Sequence, residues 1–479
     1  MHVAGATRRS AAGAALAVLP VAVAAGWLAV HAPTLGVLLA AAVVAAPLTL
    51  AAGLTLRGAA MAIALGGHLL VGPLYVQGRA PGFLPLVLDF AVLVAFGLLA
   101  LDARAPGRPW RVALLAFAGL IVVEAFNPLL PSISYGITGA RPLVVPLLLL
   151  VAVGSGRLSR RDERALVAVG VVGWIVNVVL ASRQWLVGFT GAELAYIKST
   201  RATYLVGDQI RLIGAMRSNQ DFAFLVAVAF PAVTACALAA GRSWRWRVGF
   251  ALLALATLAV LFGSLVRSGL VAGALGAFAV AAALARDRAV RRRIAVAAVA
   301  LLLVVGVVAS VVPGHALSQD QTQTLQTRVE SIFAPGQDYA FQQRQTRVWP
   351  HAVSEIGAHP LGAGAGSAGP ISQARDDAPL GPLVPDDGYL LVGVQFGLPG
   401  VALFVTALLL MLGELWRRAR TGALAAVAAF GALVALCVAM VTGNFISLVS
   451  PSCVWAVLMG LGLRAQPPRG RSEKAAARR

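Results

Sequence analysis

The chain is 479 residues long, 59% hydrophobic and only 12% charged, with a mean hydropathy of +0.83. That balance excludes a soluble globular protein, which could not hide so much apolar surface. The net charge of +20 would suggest nucleic acid in a soluble chain. Here most of the positive charge sits in short loops between apolar runs, as membrane topology requires, so no nucleic-acid partner is expected.

Apolar runs of about 18 residues or more recur from end to end, each long enough to cross a bilayer as a helix. In chain order the spans are expected at 11–30, 35–56, 59–77, 83–101, 111–126, 142–154, 165–186, 221–240, 247–263, 269–285, 294–312, 389–412, 422–441 and 445–463, about 12–14 in all. The fold class is thus an all-α integral membrane protein. The run after Arg8-Arg9 reads as the first span and not as a cleaved signal. The segment 142–154 is short and carries Pro142 and Pro146. Four regions follow: an N-terminal membrane bundle over 1–312 with about 11 spans, a polar loop over 313–387, three spans over 388–463 and a basic tail over 464–479.

With the N-terminus inside and the spans alternating, 27 of the 39 basic residues fall on the inner side and 12 on the outer. Both termini are therefore expected in the cytoplasm and the loop 313–387 outside, in a multi-pass protein of the cytoplasmic membrane. This orientation puts every distinctive polar segment on one side: 127–141, 187–220, 264–268 and 313–387.

Arginine recurs in these outer segments. Arg211 and Arg217 precede the span at 221–240, Arg267 sits in Ser264-Leu-Val-Arg267-Ser268-Gly269, and Arg344 and Arg347 lie in the long loop. A single outer arginine most often snorkels to lipid head groups or pairs with an acid. Several on one face favour an anionic ligand, because the guanidinium fork matches phosphate oxygens. If 343–358 is helical, Arg344, Arg347, His351 and Glu355 share one face, with Pro350 at a kink or in a first turn. The following Pro360-Leu-Gly362-Ala-Gly364-Ala-Gly366 reads as a flexible loop whose backbone N–H groups could approach phosphate, although most such loops are plain turns. Asp386 and Asp387 stand at the start of span 389–412, where carboxylates cap helices and where one could serve as a general base. Cys236, Cys437 and Cys453 lie within apolar runs without metal-ligand spacing, so neither a disulfide nor a metal is assigned, and no cofactor is expected.

These pieces, in this order, resemble the O-antigen ligase/O-antigen polymerase superfamily of bacterial membrane glycosyltransferases. The matching residues are Gly136-Ile-Thr-Gly139-Ala-Arg141, then Arg211-Leu-Ile-Gly214 running to Asn219 and Phe222-Ala223, then Ser264 to Gly269. Arg344/Arg347, Trp349 and His359-Pro360-Leu-Gly362-Ala-Gly364 follow, and Asp386-Asp387-Gly388-Tyr389-Leu390 leads to Gly397-Leu-Pro-Gly400. The resemblance implies transfer of a glycan from a polyprenyl-diphosphate-linked oligosaccharide to a glycan acceptor at the outer membrane face. It also implies inversion at the anomeric carbon, metal independence, and lipid, flippase and chain-length-regulator partners. Arg141, Arg211, Arg217, Arg267 and Arg344 or Arg347 would hold the diphosphate. Asp386 would stand where lipid A-core ligases carry a histidine, which favours a polymerase of surface polysaccharide; ligase-type transfer to lipid or protein is the alternative. Asp387 and His351 complete the candidate catalytic set. The family's arginine four residues ahead of the tryptophan is replaced here by Gln345, which leaves Arg344 and Arg347 open. A transporter or flippase would instead place ionisable groups at mid-membrane. Only His68, Asp89 and Asn177 lie there, with Glu124 near an outer end.

Overall fold

The computed structural model describes residues 54–78, 80, 84–100, 108–154, 158–199, 205–206, 209–239, 243–285, 292 and 339–465. The spans expected at 11–30 and 294–312, nearly all of 35–56, the first third of the polar loop and the tail beyond 465 lie outside them. The protein is an all-α integral membrane protein: among the described residues seven helices are long and apolar enough to cross a membrane, with three shorter apolar helices beside them. The only strands among the described residues are two-residue pieces, β1 (Leu205–Val206) and β2 (Gln209–Ile210), paired antiparallel.

The chain divides into two compact units. The first contains α1 (Leu56–Leu70), α2 (Gly72–Val76), most of α3 (Leu84–Ala100), α6 (Arg160–Leu186), α7 (Gly191–Ser199) and the turn 211–222. α6 begins with a capping box: the Ser159 hydroxyl accepts from Asp162 N–H at 3.1 Å, and the Asp162 carboxylate accepts from Ser159 N–H at 3.0 Å. The same carboxylate accepts from the backbone and hydroxyl of Thr55, the N-cap of α1. One buried acid thereby satisfies the first turns of two packed helices.

The second unit holds α4 (Pro109–Glu124), α5 (Ile133–Gly154), most of α8 (Asn219–Leu238), α9 (Trp244–Gly263), α10 (Arg267–Leu284), α14 (Gly388–Ala419), α15 (Leu424–Thr442) and α16 (Val449–Arg464). Its core packs α14 on α4 and α15, α15 on α10 and α16, and α16 on α5. Gly276 of α10 and Gly431 of α15 meet so closely that a Cβ on either would lie under 3 Å from the other's carbonyl oxygen. Small residues permit that approach where apolar side chains gain little by leaving lipid.

Three expectations change. The short segment at 142–154 is a 22-residue helix that starts at Ile133, so Arg141 lies inside a helix and not in a loop ahead of one. The span at 59–77 is two helices, broken at Val71 ahead of Pro73. The described part of the polar loop is largely ordered: α11 (Tyr339–Gln343), a π-helical turn over Arg344–Val348, α12 (Trp349–Ala358) and α13 (Pro370–Gln373). Pro350 falls in the first turn of α12, directly after the π turn.

Candidate active site

In the first unit the candidate residues sit on a turn of buried backbone. Leu212 to Met216 are all buried, and Gly214 takes φ +55° with a Cβ position only 2.6 Å from the Phe222 ring, so glycine alone fits. Two amide side chains of α6 satisfy this backbone. Gln184 Oε1 accepts from the N–H of Ile213 at 3.0 Å and of Gly214 at 2.9 Å, and its Nε2 donates to Gly214 O and Glu193. Asn177 Oδ1 accepts from Ala215 N–H at 2.9 Å, while its Nδ2 donates to Leu69 O and Gly173 O. Asn177 is thus committed to structure and not available as a mid-membrane transport site. Arg211 and Arg217 flank the pinned turn. The Arg217 guanidinium stands 4.3 Å over the Tyr75 ring, and its carbonyl accepts from the Tyr196 hydroxyl. Burial drives the Glu193 carboxyl up, but the hydrogen bond and charge of Arg183, with Thr190 N–H and Gln184, outweigh it and hold the group below its ordinary range. Asn219 begins α8 and is buried.

In the second unit the glycine loop is not flexible. Residues 362–369 are all buried, and the backbone donors of this stretch are turned inward. Gly362 N–H donates to His359 O, Ala363 N–H to Val394 O, Gly364 N–H to Gln395 O and Ala365 N–H to Glu124 O. Gly366 N–H donates to Gln395 Oε1 at 3.0 Å, and Gln395 Nε2 returns a bond to Ala368 O at 2.8 Å. The Tyr135 hydroxyl donates to Gly366 O, and Gly139 meets Gly366 backbone to backbone. The idea of a phosphate cradle here fails, because these N–H groups already have protein acceptors. The opening that admits the loop is a break in α14: Gly397 has φ +64°, Pro399 follows, and Leu398 N–H donates to Pro360 O.

The ordered loop brings Arg344 to Asp386, 42 positions away, with Nε 2.8 Å from Oδ2. Both side chains remain partly accessible, at 25% and 38%. The π turn shifts the register of the two arginines against Trp349. Trp349 N–H donates to the carbonyl of Arg344, five residues back, so Arg344 occupies the place that a residue four back fills in an α-helix. Arg347 is exposed and has no ion-pair partner among the described residues. Asp387 is the N-cap of α14, accepting from Tyr389 N–H at 2.8 Å and Leu390 N–H at 2.9 Å. Burial raises its proton affinity more than these two bonds lower it.

The other candidates are placed elsewhere. His351 lies 4.0 Å from Glu355, which His359 approaches from the far side at 3.8 Å, and neither histidine pairs with Asp386. Trp349 packs edge-on to Phe341. The Tyr389 hydroxyl donates to Cys437 O, tying α14 to α15. Ser264 closes α9 by donating to Leu261 O at 2.6 Å, and Leu265 beyond it takes φ +56°, a costly conformation for leucine. Arg267 then opens α10, at the helix end where a cation is least favoured. Two local preferences are thus overridden side by side. Gln184 and Gln395 were missed in the sequence; the available signal was a lone amide inside or closing an apolar run.

A family model described as O-antigen ligase matches residues 250–405. The match covers Ser264, Arg267, Arg344, Arg347, Trp349, Gly362, Gly364, Asp386 and Asp387, and leaves Arg141, Arg211, Arg217 and Asn219 outside. It supports the O-antigen ligase/polymerase superfamily and, with the seven apolar helices, a multi-pass membrane protein with that type of activity. No curated protein matches the chain.

Proposed function

We propose that the protein is a membrane glycosyltransferase that polymerises surface polysaccharide from polyprenyl-diphosphate-linked repeat units at the outer face of the cytoplasmic membrane. The observation that carries this reading is the Arg344–Asp386 pair, a phosphate-binding side chain and a carboxylate joined across 42 residues beside a capped helix start. Asp386 engages Nε of Arg344, which leaves the two terminal nitrogens for phosphate oxygens. Arg267 adds charge for the same leaving group, and Arg211 and Arg217 are donor-binding candidates of the first unit. As the acceptor oxygen bonds to the anomeric carbon, its proton passes to Asp386 and the carbon–oxygen bond to the diphosphate breaks. The polyprenyl diphosphate leaves with the electron pair, and arginine charge stabilises it without a metal. A single displacement of this kind inverts the anomeric centre.

The test is extension of a lipid-linked repeat unit by purified protein, with EDTA present. Asp386→Asn keeps size and hydrogen bonding but not basicity, so transfer should fall by roughly 10²–10⁴-fold; full activity would remove Asp386 from the mechanism. Deletion in cells separates polymerase from ligase. Loss of long polymer with single repeats retained indicates the first, and accumulation of free lipid-linked polymer indicates the second. Orientation is tested with cysteines at Gln373 and Thr421, of which only the first should react with an impermeant thiol reagent.

A further inference from the structure

The end of α14 opposite Asp387 carries a second charged cluster that the reaction does not use. Glu414 accepts from Arg418 Nε at 2.6 Å and from Arg417, and it lies 3.9 Å from Arg108. Arg108 Nη1 also donates to Leu463 O at 2.8 Å, and Arg418 Nη1 to Ala465 O at 2.8 Å. These two arginines satisfy the last carbonyls of α16 and oppose the negative end of its dipole. Three guanidinium groups therefore share one carboxylate. Burial makes Arg108 a weaker base, the charge of Arg418 adds to this, and Glu414 only partly offsets it. The cluster is short of negative charge.

Its outer edge is open. Arg417 has a side chain 76% exposed, and Arg420 stands 5.9 Å over the ring of Trp416, which is itself exposed. A tryptophan beside arginines at the end of an apolar helix marks the depth of lipid head groups. An anion there would meet two exposed guanidiniums backed by two that the fold already holds in place.

We propose that Arg417 and Arg420, supported by Arg108, Arg418 and Glu414, bind the phosphate of an anionic phospholipid in the leaflet that meets this end of α14. On the basic-loop count this is the cytoplasmic leaflet. The site lies where Arg108 and Arg418 already join the start of α4 and the end of α14 to the end of α16, at the opposite end of α14 from the Arg344–Asp386 pair. A lipid is favoured over free phosphate because the exposed arginines flank an aromatic ring at head-group depth and follow directly from apolar helix.

The experiment uses the full-length protein in nanodiscs of phosphatidylcholine alone or mixed with phosphatidylglycerol. Thermal midpoints are measured, and retained lipid is counted by native mass spectrometry. Wild type should melt higher with phosphatidylglycerol and retain it selectively. Arg417→Gln/Arg420→Gln should match wild type in phosphatidylcholine and lose the rise, each arginine removed lowering phosphatidylglycerol affinity about fivefold. Neither substitution touches a helix-capping bond, so failure to fold is not expected to obscure the result. Arg344→Gln, at the other end of α14, should keep the rise. Equal midpoints for wild type in both lipids, a rise kept by the double variant, or a rise lost in Arg344→Gln would overturn the site. Inorganic phosphate reproducing the full rise would overturn its assignment to a lipid.

Discussion

The turn at 212–216 of the first unit and the loop at 362–369 of the second are both non-helical, both buried, and both held by amide side chains projecting from long helices. Backbone that leaves a helix inside a membrane protein must find partners in protein, because lipid offers none. Gln184 and Asn177 supply them for the turn, and Gln395 supplies them for the loop. The difference lies in what each displays. The turn places an arginine at either end of its pinned apolar stretch. The loop carries no charge and no spare N–H along 362–366; its bonds go instead to Glu124 of α4, Tyr135 of α5 and Val394 and Gln395 of α14.

The sharpest way to break this comparison is to remove each amide while keeping its shape. Gln184→Leu leaves the N–H groups of Ile213 and Gly214 and the carbonyl of Gly214 unpaired. At about 1–3 kcal/mol for each stranded group, the loss should be on the order of 3 kcal/mol or more, read as a fall in thermal midpoint in nanodiscs. Gln395→Leu strands Gly366 N–H and Ala368 O and should cost about 2 kcal/mol or more on the same assay. If either variant melts like wild type, its amide is not what holds the buried stretch.

Arg344→Lys sharpens the contrast on the chemical side. It keeps a positive charge but loses the fork, so transfer should fall at least tenfold, as expected for a contact of about 1.5–3 kcal/mol, while the midpoint stays near wild type. The same reduction in Arg347→Lys would show that the π turn does not select between the two arginines. The smallest effect belongs to Asp387. Its carboxyl titrates above the ordinary Asp value of 3.8, so the folded state binds its proton more tightly than the unfolded chain does. Stability from this group is present below the ordinary value and is lost as pH rises through the raised one. Asparagine caps as well and carries no charge. Asp387→Asn should therefore match or slightly exceed wild-type stability at neutral pH, with the difference shrinking in acid; a marked drop at neutral pH would contradict the sign.

Much of this protein is legible without coordinates. Hydropathy over windows of about 20 residues reports the spans, since crossing a bilayer is a local demand on composition. An aspartate just ahead of an apolar run announces a helix cap, because the bond it makes reaches only two or three residues. The arginines of the outer segments and the glycine motif are visible as residue types, and they carry the family resemblance. What they touch is not visible. Pro360 to Gly366 reads as a flexible turn from composition, yet Gly362 to Gly366 are buried because α14 breaks at Gly397 and leaves a gap that the loop fills. That Arg344 and not Arg347 meets Asp386 depends on one inserted residue in a π turn and on a carboxylate 42 positions later. Asn177 and Gln184 look like stray polar residues in or beside a span until the turn at 213–215 is laid against them. Membrane class and helix ends follow from forces that act over a few neighbouring residues. The pinned turns and the arginine–aspartate pair arise between distant segments, and only the packing of the helices decides which buried donor meets which acceptor.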